Sequence, residues 1–187
     1  MRHGRHGFTM IEVLIALVLV GVLVAMMMMS SNEAEKSARA QNIINNFNQI
    51  SKAVNSWYLD NLNRIVTNGT SGQYNVLDTD GKTKLALKKF AQNRSDEITK
   101  YLSNGNTIKI TGKEDKSIKA GDYLLIDINY KYWYVCYDTG KDTRLREKLA
   151  GRANSLGLVA VNDNLSGVGS KYSGGRFVGI SVLDLDR

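Results

Sequence analysis

The sequence predicts an α+β protein. One long N-terminal helix, apolar in its first half and amphipathic in its second, is expected to pack on a C-terminal antiparallel β-sheet. Three observations predict this. From Phe8 to Met29 the chain is apolar, with a single ionisable residue, Glu12. Ile43, Phe47, Ile50, Val54 and Trp57 then recur at helical spacing. From about residue 106 the apolar period changes to two. Helical periodicity followed along the chain by strand alternation is the pattern of the α+β class.

The apolar run of 22 residues is about 33 Å long as a helix, enough to cross a bilayer core of about 30 Å. A core helix is rarely apolar on all faces for this length. A cleaved secretory signal ends in a small-x-small site, whereas Met26–Met29 run straight into Ser30-Ser31-Asn32-Glu33. A plain signal anchor accounts for everything except Gly7-Phe8 and Glu12. A carboxylate at membrane depth costs a few kcal/mol and marks a function with a partner. No basic side chain follows Glu12 within a turn or two. Cleavage after Gly7 would supply one, because the new α-amine at Phe8 is positive at neutral pH. That amine, or the amine of a neighbouring copy, could neutralise Glu12.

A short basic leader, Gly7-Phe8-Thr9, two apolar residues, Glu12 and a long apolar helix together resemble the class III signal of type IV pilins and pseudopilins. The signature is residues 7–12, and the resemblance covers roughly residues 1–60 in kind. It implies cleavage after Gly7 by a membrane prepilin peptidase, N-methylation of Phe8, and helix-to-helix assembly guided by Glu12. The chain departs from the family in two respects. Many pilins of Gram-negative bacteria staple their C-terminal region with a disulfide, but Cys136 is the only cysteine here. Family members often carry a proline eight residues after a glycine near the end of the apolar segment. Gly21 matches that glycine, Met29 holds the proline position, and the chain has no proline. Gly21 is therefore the expected flexible point of the helix.

Composition narrows the function classes. The chain has 187 residues, with 25 basic and 18 acidic side chains, enough for one membrane helix and one modest domain. Loss of Arg2 and Arg5 with the leader lowers the net charge from +7 by two. Both histidines, His3 and His6, lie in the leader, so the mature chain lacks the commonest general base and metal ligand. No metal or cofactor is expected, nor an enzyme. Asp127, Asp138, Asp142, Asp163 and Asp184 are the carboxylates available for pairing, and strand ends and turns account for their positions.

In chain order, residues 1–7 read as the cleaved leader, 8–29 as the transmembrane and assembly helix, 30–66 as an amphipathic helix continuing into the head, and 67–187 as a globular α+β head. The stripe shifts by one residue after Trp57 and continues through Tyr58, Leu62 and Ile65. Asn45, Asn48, Gln49, Lys52 and Asn55 hold the opposite face. Residues 67–83 read as a loop, from the turn dipeptides Asn68-Gly69, Ser71-Gly72 and Asp80-Gly81. Asp78-x-Asp80-Gly81 fails as an EF-hand loop, because Val76 and Leu87 hold ligand positions; a turn held by Asp side chains is the expectation.

Residues 84–103 read as one helix, weakest near Asn93. Strands are expected at 107–110, 123–128, 132–137, 156–161 and 177–183, with an antiparallel hairpin across Asn129-Tyr130-Lys131. Arg144–Ala150 reads as a short helix stopped by Gly151, and the glycines from Gly167 to Gly175 as a loop.

These readings converge on a structural subunit of a type IV pilus or pilus-like filament. It would be inserted singly in the cytoplasmic membrane, N-terminus in the cytoplasm and head outside, then assembled into a cell-surface homo-oligomeric filament. Its partners would be prepilin peptidase, the assembly platform, other pilins and, before assembly, lipid. The alternative is a pseudopilin of type II secretion or competence. Another class is a nucleic-acid-binding head on a membrane anchor, for which Tyr130, Lys131, Tyr132, Trp133, Tyr134 and Tyr137 would form a stacking platform. Aromatic strand pairing gives the same pattern.

Overall fold

A computed structural model describes residues 10–68, 72–78, 80–86, 89–91, 95–102, 108–112 and 118–185. The architecture is α+β, a long N-terminal helix followed by two β-sheets. The chain forms two compact units, Met1–Ala38 and Arg39–Arg187. Helix α1 covers Met10–Asp60. In the first unit every side chain from Met10 to Glu35 is exposed, and as far as Met29 apolar residues occupy all faces of the helix.

In the second unit, α1 buries Ala40, Ile43, Ile44, Phe47, Ile50, Ala53, Val54 and Trp57, the face marked by the expected stripe. Asn45, Asn48, Lys52 and Asn55 are exposed. The helix ends at Asp60, short of the expected residue 66. Asn61 turns its side-chain amide back onto the Trp57 carbonyl at 2.8 Å, and a short amide that bonds the backbone in this way competes with helix continuation. Leu62–Arg64 form a 3-10 turn that leaves Leu62 exposed.

Residues 67–83 are not a loop. Strands β1 (Ile65–Asn68), β2 (Gln73–Leu77) and β3 (Lys84–Ala86) form an antiparallel meander, so the segment expected as a helix from 84 begins as a strand. The turn expected at Asp80-Gly81 is present, and Gly69 and Ser71 lie outside the described residues; strands of three to five residues are too short to show an alternation between turn dipeptides. Asp80 holds the second turn, accepting the N–H groups of Lys82 and Thr83 and the Thr83 hydroxyl. The Thr83 hydroxyl first, then these backbone donors, hold its carboxyl at about 2. Residues 89–91 are helical and α2 is Ser95–Thr99, with Phe90, Ala91 and Ile98 fully buried. Asn93 lies outside the described residues.

The larger sheet has the order β4-β5-β6-β9-β7-β8. β4 (Ile110–Gly112) pairs parallel with β5 (Tyr123–Ile128), so the sheet is mixed rather than wholly antiparallel. β5 and β6 (Tyr132–Asp138) form the expected hairpin. Its turn closes with Lys131 N–H on the Ile128 carbonyl and places Asn129 and Tyr130 at φ near +60°, the conformation that two-residue primed turns require.

Helix α3 runs Thr143–Leu156, through Gly151. Leu145, Leu149 and Ala153 keep a buried stripe across the expected stop. It ends at Gly157, left-handed at φ 64°, whose N–H bonds the Ala153 carbonyl; the absence of a Cβ makes that conformation inexpensive. β7 (Val159–Val161), β8 (Val168–Lys171) and β9 (Phe177–Asp184) complete the sheet. β8 lies inside the segment expected as a glycine loop.

Both faces of the sheet are covered. Tyr123, Leu125, Trp133, Val135, Tyr137, Val178 and Val182 join the α1 stripe in one core. Leu124, Ile126, Ile128, Cys136, Val161 and Phe177 form a second core under Leu165. Thus all six residues of β5 are buried, not one alternating face. Phe47 meets Tyr123 edge-on at 5.8 Å, and Trp133 stacks on Phe90 at 5.7 Å and lies 5.3 Å from Trp57. The Trp133 indole N–H is buried without a hydrogen-bond partner.

Candidate functional site

The first candidate is the apolar half of α1. From Met10 to Met29 its only ionisable side chain is Glu12, in the first turn described. Gly7 and Phe8 lie outside the described residues. The helix is long and apolar enough to cross a membrane. Gly21 sits within it, and a Cβ added there would meet nothing within 4 Å. Glycine in a helix interior costs about 1 kcal/mol relative to alanine, and no packing inside this chain requires it.

The head offers polar clusters, each committed to structure. Asp138, at the end of β6, is fully buried. Its carboxylate accepts Arg176 Nη2 at 2.7 Å, Arg176 Nε at 3.1 Å and the Gly140 N–H at 2.8 Å. Burial alone would raise its pKa. The Arg176 hydrogen bonds, the Gly140 N–H and the charges of Arg176 and Arg146 outweigh that and hold it below the usual carboxylate value. The Thr139 hydroxyl donates to the Arg176 carbonyl, and Arg146 donates to Thr139 and to the Gly140 carbonyl. This network fastens the β6–α3 corner to the start of β9.

Two further clusters tie α1 to the head. Arg39 donates to the Tyr137 hydroxyl and pairs with Asp142 at 3.5 Å, while Asn46 donates to the Tyr123 hydroxyl at 2.9 Å. Arg64, just beyond the helix, pairs with Glu97 at 3.0 Å and donates to the Leu77 carbonyl. A cleft of about 270 Å³ opens there, lined by Trp57, Asn61, Arg64, Asp96, Glu97, Lys100 and Tyr101.

The carboxylates named as pairing candidates have separate structural jobs. Asp127 accepts the Tyr130 N–H in the hairpin turn, Asp138 holds Arg176, and Asp142 caps α3 by accepting the Leu145 N–H. Asp163 lies exposed in a turn, and Asp184 ends β9. Among the described residues no three His, Cys, Asp or Glu side chains gather as a metal site. Of the aromatic platform, Trp133 and Tyr137 are core residues, and Tyr130, Tyr132 and Tyr134 are half-buried. Cys136 is fully buried, and burial pushes its thiol pKa up.

The apolar half of α1, with Glu12 in its first described turn, is the chemically distinctive segment. Residues 2–28 match the family model for the prokaryotic N-terminal methylation motif. Over these residues the motif indicates a precursor of the type IV pilin-like or pseudopilin kind. The motif implies processing by a prepilin peptidase and assembly with other pilins, and proteins of this kind are structural subunits. One long apolar N-terminal helix fits a membrane-anchored pilin. The chain has no match among curated proteins or among solved structures. The motif match ends at residue 28, ahead of the head. Sequence reasoning missed the Asp138–Arg176 pair, whose partners are 38 positions apart with no local pattern to join them.

Proposed function

We propose that this chain is a subunit of a type IV pilus or pilus-like filament. Prepilin peptidase cleaves after Gly7, removing residues 1–7, and the new amine of Phe8 is methylated. The helix from Phe8 to Met29 resides in the cytoplasmic membrane, N-terminus in the cytoplasm and head outside, until the assembly platform moves it into the filament. A pseudopilin of secretion or competence would use the same processing and the same helix.

The observation that carries this reading is the methylation-motif match over residues 2–28, leading into a helix whose only ionisable side chain up to Met29 is Glu12. Apolar helices have no strong preference for one another over lipid tails, so burial alone gives no register. A carboxylate in the apolar stretch supplies it: the Phe8 amine of an incoming subunit pairs with Glu12 of its neighbour in a low dielectric. Contacts of this head-to-tail kind build open helical polymers. Gly21, which internal packing does not explain, gives the helix a point of adjustment.

The test compares sheared filaments with membrane-bound subunit for wild type, Glu12→Ala and Glu12→Gln. Deleting one partner of a buried pair costs about 3–5 kcal/mol, repeated at every contact of the polymer. Glu12→Ala is expected to insert and be processed yet yield few or no filaments, and Glu12→Gln to be intermediate at best. Filament yield from Glu12→Ala equal to wild type overturns the assembly mechanism.

A further inference from the structure

Sulfur is distributed unevenly in this chain. Of six methionines, four are consecutive, Met26–Met29, and none follows in residues 30–187. At 3.6 residues per turn, four successive side chains ring the helix. They are 62–69% exposed, so the subunit itself shields none of the thioethers. They close the apolar run, directly ahead of Ser30-Ser31-Asn32-Glu33. Val, Leu and Ile fill most of residues 13–24 and would serve equally well as anchor here. The one sulfur in residues 30–187, that of Cys136, is fully buried.

We propose that Met26–Met29 are a site of reversible methionine oxidation, with hypohalous acid as the oxidant, that sets how firmly the helix is retained in lipid. The proposal rests on the membrane reading above. In the step, a thioether sulfur loses two electrons and gains an S=O bond, the O–Cl bond of hypochlorous acid breaks, and chloride and a proton leave. The product is a polar sulfoxide in place of a flexible apolar side chain. As a helix, the apolar segment Phe8–Met29 would be about 33 Å long, enough to cross a bilayer core of about 30 Å. With the last four residues polar, Phe8–Ala25 leaves about 27 Å, about 3 Å short of that core. A shortened span strains the bilayer or draws polar groups into it. Thiol-dependent methionine sulfoxide reductases return the oxygen as water and restore the thioether.

The experiment uses the full chain in phosphatidylcholine–phosphatidylglycerol vesicles treated with hypochlorous acid. Peptide mass analysis locates added oxygen atoms, and transfer to acceptor vesicles measures retention. The expected result is one oxygen on each of Met26–Met29, and transfer faster by at least about tenfold, the factor that about 1.4 kcal/mol carries. Reductase treatment should reverse the change. In a variant with Met26–Met29 all replaced by leucine, oxidant should leave transfer unaltered. Thioethers of the band that do not react, or full oxidation with unchanged transfer, overturn the proposal. An untreated chain that does not associate with vesicles at all overturns instead the membrane reading, and the proposal falls with it.

Discussion

Replacing Arg176 with alanine should destabilise the head more than any other single change at its surface. Arg176 is half exposed, whereas the Asp138 side chain it grips is fully buried. Removing the guanidinium takes away the bonds at 2.7 and 3.1 Å and leaves a buried carboxylate with the Gly140 N–H and the field of Arg146. Breaking a buried pair costs about 3–5 kcal/mol. Solvent around Arg176 reduces this, so about 2–3 kcal/mol is expected. For a domain of this size that lowers Tm by about 5–10 °C.

The pH dependence follows from the sign of the shift. The folded pKa of Asp138 is depressed. Its contribution is therefore present above the unfolded value of about 4 and is lost as pH falls through the folded value. In Arg176→Ala the main depressing cause is gone and burial pushes the pKa up, so acid should relieve the variant. Urea denaturation at pH 7 and pH 3 should show the gap between wild type and variant shrinking on acidification. Asp138→Asn should cost less, because Arg176 can turn to water. A variant within about 0.5 kcal/mol of wild type at pH 7, the ordinary range of surface substitutions, refutes this account, and so does a gap that ignores pH.

The remaining predictions concern packing and the helix. Gly179→Ala places a Cβ 2.9 Å from Val161 Cγ2 and 3.3 Å from Cys136 Sγ. It should cost about 1–3 kcal/mol, and Val161→Ala should recover part of that in a double-mutant cycle. Cys136→Ser should lower stability only modestly, by about 1–2 kcal/mol, and leave folding independent of oxidant; a head that folds only under oxidising conditions would contradict it. Residues 31–187 expressed alone should be soluble and monomeric, as checked by light scattering. Gly21→Ala should raise the helicity of the membrane segment in circular dichroism while reducing filament yield. Unchanged yield would remove the proposed role of that glycine.

Much of the fold was legible where one physical signal dominated. The stripe Ile43–Trp57 and the strands β5, β6 and β9 were read nearly to the residue, because each carries several periods of one pattern. The elements that escaped were short or bounded by ambiguous punctuation. β1–β3 and β8 hold too few residues for an alternation to emerge among turn dipeptides. Gly151 looked like a helix stop because glycine usually is one, but Leu149 and Ala153 give the helix reason to continue to Gly157. The end of α1 depended on a local choice by Asn61 that periodicity cannot show. At the site, Glu12 was legible because a lone acid in 22 apolar residues has a large energetic cost. Asp138–Arg176 was not, since long-range pairing leaves no trace in spacing.

The account stands most directly on the chemistry of one bond and one amine. The chain should be isolated from its native host and its intact mass and N-terminal peptide determined. A mature chain that begins at Phe8 with a methylated amine is the predicted result; a chain that retains Met1, or is cut beyond Met29, contradicts it.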